Sequence, residues 1–150
     1  MIGVISDTHG LLRPAAIEAL RGVDHILHAG DVGDASILDA LRSVAPVTAI
    51  RGNIDVGGPC SHLPATEVVT LQGHTFYMLH DRHALDLDPA AAGFSAVISG
   101  HSHKPLLEWR HGVLYMNPGS AGPRRFSLPV SIGLLTIGAD GLQPRLVTLP

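Results

Sequence analysis

The stretch IGVISDTHG, residues 2–10, sets the architecture of the chain because a short apolar run ends there in a polar loop. The same pattern returns as HILHAGDVGD over 25–34 and as PVTAIRGNID over 46–55. Amphipathic segments between these runs predict helices at 14–21 and 35–43. This repeated order of strand, loop and helix predicts parallel strands joined by right-handed crossovers.

The second half of the chain has the pattern of strands separated by tight turns. A hairpin is predicted for 67–71 and 75–79, around Gln72 and Gly73. Further strands, mostly in antiparallel pairs, are predicted at 95–99, 106–110, 113–116, 131–137 and 145–149, and a short helix at 88–93. No repeat or linker interrupts the chain. We therefore predict an α/β fold with one domain over 1–150, in which two sheets pack together with helices outside.

Composition narrows the classes of protein to which the chain can belong. With 150 residues and 45% hydrophobic residues, it can bury a sizeable core. A formal charge of −3 argues against the binding of long nucleic acids. The single cysteine, Cys60, permits no internal disulfide, and no apolar run reaches the length of a membrane span. We therefore expect a soluble, cytoplasmic protein that does not bind membranes.

Side chains that commonly bind metals follow the predicted strands, at the point where each strand ends. They are Asp7, His9, Asp31, Asn53, His80, His101 and His103. Because sites in open α/β sheets lie beyond the carboxyl ends of the strands, we expect these side chains to lie close together. Imidazole nitrogens mixed with carboxylate and amide oxygens suit a divalent transition-metal ion better than Ca²⁺. The lack of thiolates excludes a structural zinc site of the cysteine type.

The number of ligands predicts two metal ions rather than one. Seven ligands are too many for one tetrahedral ion, and they fit two ions that share one carboxylate. We predict Asp31 as the bridge because it lies centrally in the set. Two ions about 3.5–4 Å apart activate a bridging water and clamp the oxygens of a phosphoryl group. The ligand types allow Mn²⁺, which we expect first, and also Fe²⁺, Zn²⁺, Ni²⁺ and Co²⁺.

Five short motifs resemble those of the calcineurin-like metallophosphoesterases and occur in the same order. They are Asp7-x-His9, Gly30-Asp31-x-x-Asp34, Gly52-Asn53-x-Asp55, the segment at His80, and Gly100-His101-x-His103. The short length, GNID and the later Asn117-Pro118-Gly119-Ser120 are similar to one small subfamily. That subfamily holds the YfcE-type phosphodiesterases and, as a relative, the phosphoesterase-like subunit of the retromer sorting complex. The resemblance extends over nearly the whole chain.

The resemblance implies a four-layer α-β-β-α sandwich of two mixed sheets, with a dinuclear metal site at one edge. Carried over residue by residue, it implies one ion held by Asp7, His9, Asp31 and His103, and another held by Asp31, Asn53, His80 and His101. Asp31, Asn53 and His80 are also expected to be catalytic. The implied enzyme is a metal-dependent phosphodiesterase that hydrolyses small phosphodiesters through a hydroxide bridging the two ions.

The chain departs from the family pattern at two places. Ile54 stands where many relatives carry a histidine that is thought to protonate the leaving group, so an obvious general acid is missing. The segment at His80 continues Asp81-Arg82-His83, where relatives resemble H-G-H. Either His83 replaces the second histidine with a shift of one residue, or Arg82 offers its guanidinium to the phosphate.

Two alternative functions stay open. A protein-interaction scaffold similar to the retromer subunit, with a weak or inactive metal site, is favoured by the two departures and disfavoured by the complete ligand set. A phosphomonoesterase would use the same metals and differ only in its pocket. A homo-oligomer could supply further pocket walls.

Other polar residues have simpler predicted roles. Asp34 is expected to cap the helix at 35–43 rather than to bind metal. The segment 117–120 is expected to support the two histidines of GHSH from the next loop. Arg13, Arg51 and Arg82 are possible phosphate contacts, although the pattern favours solvated surface charges. The remaining histidines are expected to be structural or on the surface: His25, His28, His62, His74 and His111.

Overall fold

Two mixed five-stranded sheets pack against each other in the computed structural model of the chain, which describes residues 1–150. The first sheet contains β1 (Ile2–Ile5), β2 (His25–His28), β3 (Val47–Ala49), β9 (Ser131–Gly138) and β10 (Gly141–Thr148), in the spatial order β10-β9-β1-β2-β3. The second contains β4 (Thr66–Leu71), β5 (His74–Leu79), β6 (Ala96–Ile98), β7 (Leu106–Arg110) and β8 (Val113–Asn117), in the order β4-β5-β6-β8-β7. The predicted class of two mixed sheets is confirmed.

Two helices cover the outer face of the first sheet. They are α1 (Pro14–Ala19) and α2 (Ala35–Arg42), which connect the parallel strands β1, β2 and β3 as predicted. Leu20, Leu38 and Leu41 are buried in the cluster that joins this helical layer to the sheet. Asp34 caps α2, because its side chain accepts a hydrogen bond from the Ser36 N–H at 2.9 Å.

The second sheet differs from the prediction in how its strands pair and in the conformation of the segment 88–93. The predicted antiparallel hairpin of β4 and β5 is present, but β5, β6 and β8 pair in parallel at the centre of the sheet. The segment 88–93 forms turns, so the predicted helix there is wrong. Asp88 starts this segment as a helix cap would, by accepting from the backbone N–H groups of Ala90 and Ala91, but Gly93 takes a left-handed conformation with φ 79° and ends it after one turn. A short 3₁₀ helix at Arg82–Ala84 lies earlier in this connection.

The core between the sheets fixes how their ends meet. Ile2 and Val4 of β1 pack in one buried cluster with Phe76 and Met78 of β5 and with Ile98 of β6. The loops that follow these strands are therefore brought to one edge. They are tied there by backbone hydrogen bonds from the Asp7 N–H to the Gly30 carbonyl and from the Gly100 N–H to the His80 carbonyl. No helix in the structure is long and apolar enough to cross a membrane.

Candidate metal centre

The structure brings all seven predicted ligands to this edge, from five loops of the two sheets. The loops after β1, β2 and β3 carry Asp7 and His9, Asp31, and Asn53, and the loops after β5 and β6 carry His80, His101 and His103. Four of them are buried, His9 is half-buried, and Asn53 and His101 are exposed. The site is therefore a polar cluster that opens to solvent on the side of Asn53 and His101.

The two oxygens of the buried Asp7 carboxylate have different surroundings. Its Oδ2 accepts hydrogen bonds from Ser6 Oγ at 2.7 Å and from the His101 backbone N–H at 3.1 Å. Its Oδ1 has no hydrogen-bond partner and faces three imidazole Nε2 atoms, at 3.4 Å from His103, 3.6 Å from His9 and 3.8 Å from His80. A buried carboxylate oxygen left free in this way suits a cation ligand.

Asp31 lies between histidines of both predicted sets. Its Oδ2 is 3.3 Å from His9 Nε2 and 3.3 Å from His80 Nε2. Its Oδ1 accepts a hydrogen bond from the Ile54 backbone N–H at 3.0 Å, which fixes the plane of the carboxylate. One carboxylate oxygen therefore faces both groups of imidazoles.

The histidine rings form two pairs. The ring centroids of His9 and His103 are 5.2 Å apart, and those of His80 and His101 are also 5.2 Å apart. The Asn53 side chain extends the second pair, since one terminal atom of its amide lies 3.2 to 3.3 Å from both Asp31 oxygens, from His80 Nε2 and from His101 Nδ1. The two pairs match the division of ligands that the resemblance implies.

His80 is held with one nitrogen directed into the site. Its Nδ1 is 2.7 Å from the Ala29 carbonyl oxygen, which can only accept, so Nδ1 carries the proton. When the ring is neutral, the lone pair of Nε2 points toward the carboxylates. A metal-binding histidine is commonly oriented by such a hydrogen bond from its other nitrogen.

The carboxylates and His80 stabilise each other's charged forms. Burial raises the pKa of Asp7, but its interactions with His103, His9 and His80 outweigh burial and hold the pKa below its usual range. The pKa of Asp31 is likewise lowered, because the effects of His80 and of the Ile54 N–H exceed that of burial. The pKa of His80 is raised despite burial, because of Asp31 and the Ala29 carbonyl. The site thus carries negative charge that attracts cations.

Five of the seven residues have left-handed backbone conformations, which residues other than glycine rarely adopt. The φ angles are 55° at Asp7, 47° at His9, 56° at Asp31, 71° at His101 and 62° at His103. Such strained residues persist only where the surrounding structure enforces them, and they cluster at functional sites.

Asp55 organises two of the loops, and the sequence analysis assigned it no role. Its buried carboxylate accepts from the Gly52 N–H at 2.8 Å, the Gly33 N–H at 2.9 Å and the Val32 N–H at 3.1 Å. These bonds tie the loop of Asp31 to the loop of Asn53. Its place in the GNID motif was the available signal, but its burial could not be predicted from the sequence.

Asn117 supports the loop of the two last histidines, as predicted. Its Nδ2 donates to the Gly100 carbonyl at 2.8 Å and to Ser102 Oγ at 3.1 Å. In the same segment, Ser120 Oγ donates to the Asp7 carbonyl at 3.0 Å. The segment 117–120 therefore braces two ligand loops from outside the site.

Two of the three arginines considered as phosphate contacts are bound to backbone carbonyls. Arg13 donates to the Gly122 carbonyl and Arg51 to the Leu63 carbonyl, so both guanidinium groups hold loops. Arg82 and His83 lie beside the cluster, where they line a surface hollow with His101. His83 is exposed and belongs to neither of the clusters of close potential ligands, Asp7-His9-His103 and Asp7-Asp31-His80.

The residues fit a bound divalent metal. The two close clusters share Asp7 and contain only carboxylate oxygens and imidazole nitrogens, which are ligands of Mn²⁺, Fe²⁺ and Zn²⁺. Asp7 Oδ1, His9 Nε2 and His103 Nδ1 are buried and have no hydrogen-bond partner. A cation would satisfy Asp7 Oδ1 and His9 Nε2, which otherwise stay costly to bury.

Comparison with protein families supports this chemistry. The model of the calcineurin-like phosphoesterase superfamily domain matches residues 1–140. A probable metallophosphoesterase of Methanocaldococcus jannaschii is 35% identical over 162 residues, covering 99% of this chain and 81% of the relative. Phosphodiesterase YfcE of Escherichia coli is 29% identical over 155 residues, covering 87% of this chain and 84% of the relative.

Solved structures share the fold over nearly the whole chain. An archaeal phosphodiesterase superposes with a TM-score of 0.82 at 25% identity, covering 99% of both chains. Vps29 of Chaetomium thermophilum superposes with a TM-score of 0.76 at 19% identity, covering 99% of this chain and 98% of Vps29. At that identity the second likeness shows the fold alone.

Proposed function

Since the chain belongs to the calcineurin-like phosphoesterase superfamily, we propose that it is a metal-dependent phosphodiesterase that hydrolyses small phosphodiesters. The observation that carries this proposal is the convergence of three imidazoles, those of His9, His80 and His103, on the carboxylates of Asp7 and Asp31, whose facing oxygens are 3.3 to 3.8 Å from imidazole nitrogens. The relatives named phosphodiesterase support the choice of a diester over a monoester.

Two divalent ions would share the site in this proposal. One would be held by Asp7, His9, Asp31 and His103, and the other by Asp31, Asn53, His80 and His101, with Mn²⁺ as the first candidate. The pairing of the rings of His9 with His103 and of His80 with His101 supports this division. When bound, such ions supply Lewis-acid stabilisation of the phosphoryl oxygens and lower the pKa of the attacking water.

The protein's own groups position this chemistry. Asp31 would act as the bridge, held by the Ile54 N–H, while the hydrogen bond to Ala29 keeps His80 Nε2 directed inward. Asn53 lies at the exposed side and would orient the substrate phosphate with its amide. The Ile54 side chain is 43% exposed and cannot donate a proton, so we expect diesters with good leaving groups to react fastest.

The first test compares turnover of bis(p-nitrophenyl) phosphate by metal-stripped protein with and without Mn²⁺, beside Asp31→Asn. We expect Mn²⁺-dependent hydrolysis that falls at least about 100-fold in the variant, as when a group that stabilises the transition state is removed. Asp34→Asn is the matched control, because Asp34 caps α2 three residues away and should keep its activity. Unchanged turnover by Asp31→Asn would refute the proposed site.

The scaffold function is the second candidate. The fold that the chain shares with Vps29 and the apolar Ile54 beside the site favour it. It predicts folded, Mn²⁺-binding protein with no turnover of any diester. Measuring metal content and turnover on the same sample separates the two functions.

A further inference from the structure

Two surface hollows adjoin the metal centre and meet at His101 and Asp81. The Tyr77 hollow, of about 510 Å³, is lined by residues that include Asn53, Tyr77, His80 and Asp86. The Lys104 hollow, of about 540 Å³, is lined by residues that include Arg82, His83, Ser102 and Lys104. A phosphoryl group at the centre would therefore have one hollow for each of its two ester arms.

The two hollows differ in charge. The Lys104 hollow contains two permanent cations, Arg82 and Lys104, against the single carboxylate of Asp81. The Tyr77 hollow contains two carboxylates, Asp81 and Asp86, against the single guanidinium of Arg51. Arg51 is already held, since it donates to the Leu63 carbonyl at 2.8 Å. An anionic arm is thus repelled from one hollow and attracted to the other.

The cations of the Lys104 hollow are available for a ligand. Lys104 is exposed and takes part in none of the salt bridges. Arg82 contacts Glu108 at 3.4 Å, but Arg110 already holds both oxygens of Glu108, at 2.9 Å and 3.1 Å. Such a long, half-exposed ion pair contributes little, so Arg82 can turn to another anion at small cost.

Apolar and aromatic side chains contribute to the floor and sides of the Tyr77 hollow. Tyr77 and Leu79 are buried beneath it, and Ala65 and Ala84 line its sides. A neutral arm with a planar or apolar face would contact these groups without meeting a free cation. The hollow therefore suits an uncharged organic group.

From this asymmetry we propose that the preferred substrates are phosphodiesters with one arm that ends in a second anionic group, a phosphate or a carboxylate, and one uncharged arm. Arg82 and Lys104 bind the anionic end and set the specificity, and the uncharged arm lies in the Tyr77 hollow. The inference rests on the proposed phosphodiesterase function and adds the class of substrate.

Binding tests the inference without hydrolysis. The probes are four p-nitrobenzylphosphonate monoesters whose shared ethyl arm ends in ammonium, hydroxyl, carboxylate or phosphate, titrated calorimetrically into Mn²⁺-loaded protein. We expect the two anionic arms to bind about tenfold more tightly than the hydroxyl arm, and the ammonium arm to bind most weakly. The tighter of the carboxylate and phosphate arms identifies the anion that the hollow prefers.

A pair of double variants assigns the preference to the hollow. R82Q/K104Q should reduce the ratio between the affinities of the anionic and hydroxyl arms to about one. R21Q/R42Q changes the net charge by the same amount at distant exposed sites, so it should keep the wild-type ratio of affinities. Thermal melting confirms that both variants fold. Equal dissociation constants for all arms, no binding of any arm, or a preference that survives in R82Q/K104Q would each overturn the inference.

Turnover separates this inference from the proposed function. The corresponding p-nitrophenyl diesters with the same four arms are assayed with wild-type protein and Mn²⁺. Hydrolysis of the hydroxyl-arm diester, together with equal binding of all phosphonates, would keep the phosphodiesterase and reject the anionic arm. Tighter binding of the anionic phosphonates without hydrolysis of any diester would keep the anion site and reject the phosphodiesterase.

Discussion

Gly100 stands between the end of β6 and the first histidine of GHSH, and no larger residue fits there. A Cβ at this position would collide with Ser6 Oγ and would lie 2.6 Å from Asp7 Oδ2. Gly52 is confined in the same way by the Asp31 carboxylate. The glycines of these two motifs are therefore needed because their backbone packs directly on Ser6 and on the carboxylates of Asp7 and Asp31.

Gly100→Ala should displace the Asp7 carboxylate and weaken the metal site. We expect the free energy of unfolding to fall by about 1–3 kcal/mol, as for other overpacking substitutions, and Mn²⁺ to bind about tenfold more weakly. Urea unfolding and Mn²⁺ titration calorimetry measure the two effects. Gly58→Ala is the control, since the nearest atom to its Cβ would be 3.6 Å away. Equal Mn²⁺ affinity in both variants would show that Gly100 does not position the ligands.

At the scale of elements, the loops after β2 and β3 are joined by one side chain. Asp55 accepts three backbone N–H groups from these loops, and it is 1% exposed. Neither loop has regular hydrogen bonding of its own at these positions, so the carboxylate satisfies groups that would otherwise be buried unpaired. The relative position of Asp31 and Asn53 depends on this link.

Asp55→Asn should weaken the link between the loops after β2 and β3. An amide offers one acceptor oxygen and places an NH₂ group against backbone donors, so we expect a loss of about 2 kcal/mol in the free energy of unfolding. Urea unfolding measures the loss. Asp34→Asn should change stability by less than about 0.5 kcal/mol, because asparagine caps helices as well as aspartate does. A loss as small for Asp55→Asn would mean that the loops are held by other contacts.

At the scale of the whole molecule, the seven candidate ligands come together only when the two sheets are packed together. The first sheet carries Asp7, His9, Asp31 and Asn53, and the second carries His80, His101 and His103. The hydrogen bond between His80 and the Ala29 carbonyl crosses from one sheet to the other. That residues 1–150 form a single domain stays a prediction, as do the cytoplasmic location and the homo-oligomer.

Global stability should depend on pH through His28, which is fully buried in β2. Its Nδ1 accepts from the Gly30 N–H at 3.2 Å, and its Nε2 lies 3.0 Å from Thr8 Oγ1. Because Thr8 donates its own hydrogen to the Val32 carbonyl, Nε2 carries the proton and the ring is neutral. Burial lowers the pKa of His28 to about 4.

The sign of this dependence follows from proton binding. The unfolded chain, with an ordinary histidine pKa, takes up a proton between about pH 6.5 and 4 that the folded chain does not, so stability falls as the pH falls through this range. We expect about 3 kcal/mol to be lost from this group in metal-stripped protein. Urea unfolding from pH 7 to 4 measures the loss, and His28→Gln should show a correspondingly smaller decline. Parallel declines in both proteins would contradict the role of His28.

Much of the site could be predicted from the sequence because its ligands follow strands that the local pattern reveals. Asp7, Asp31 and His80 were found as polar residues at the ends of apolar runs, and the structure brings a carboxylate oxygen or ring nitrogen of each within 4.8 Å of the others. Asp55 and His28 had no such signal. Their roles depend on burial and on hydrogen bonds to loops far away in the chain, which periodicity does not report.

The sequence alone determined the strands of both sheets, the crossovers between the first three strands, and the types and order of the candidate ligands. These features depend on short-range pattern and residue chemistry. Tertiary structure decided the pairing of β9 with β1, the parallel centre of the second sheet, and the turns at 88–93. It also decided the free oxygen of Asp7 and the opposite charges of the two hollows. Such features arise from contacts between distant segments, whose partners no local pattern specifies.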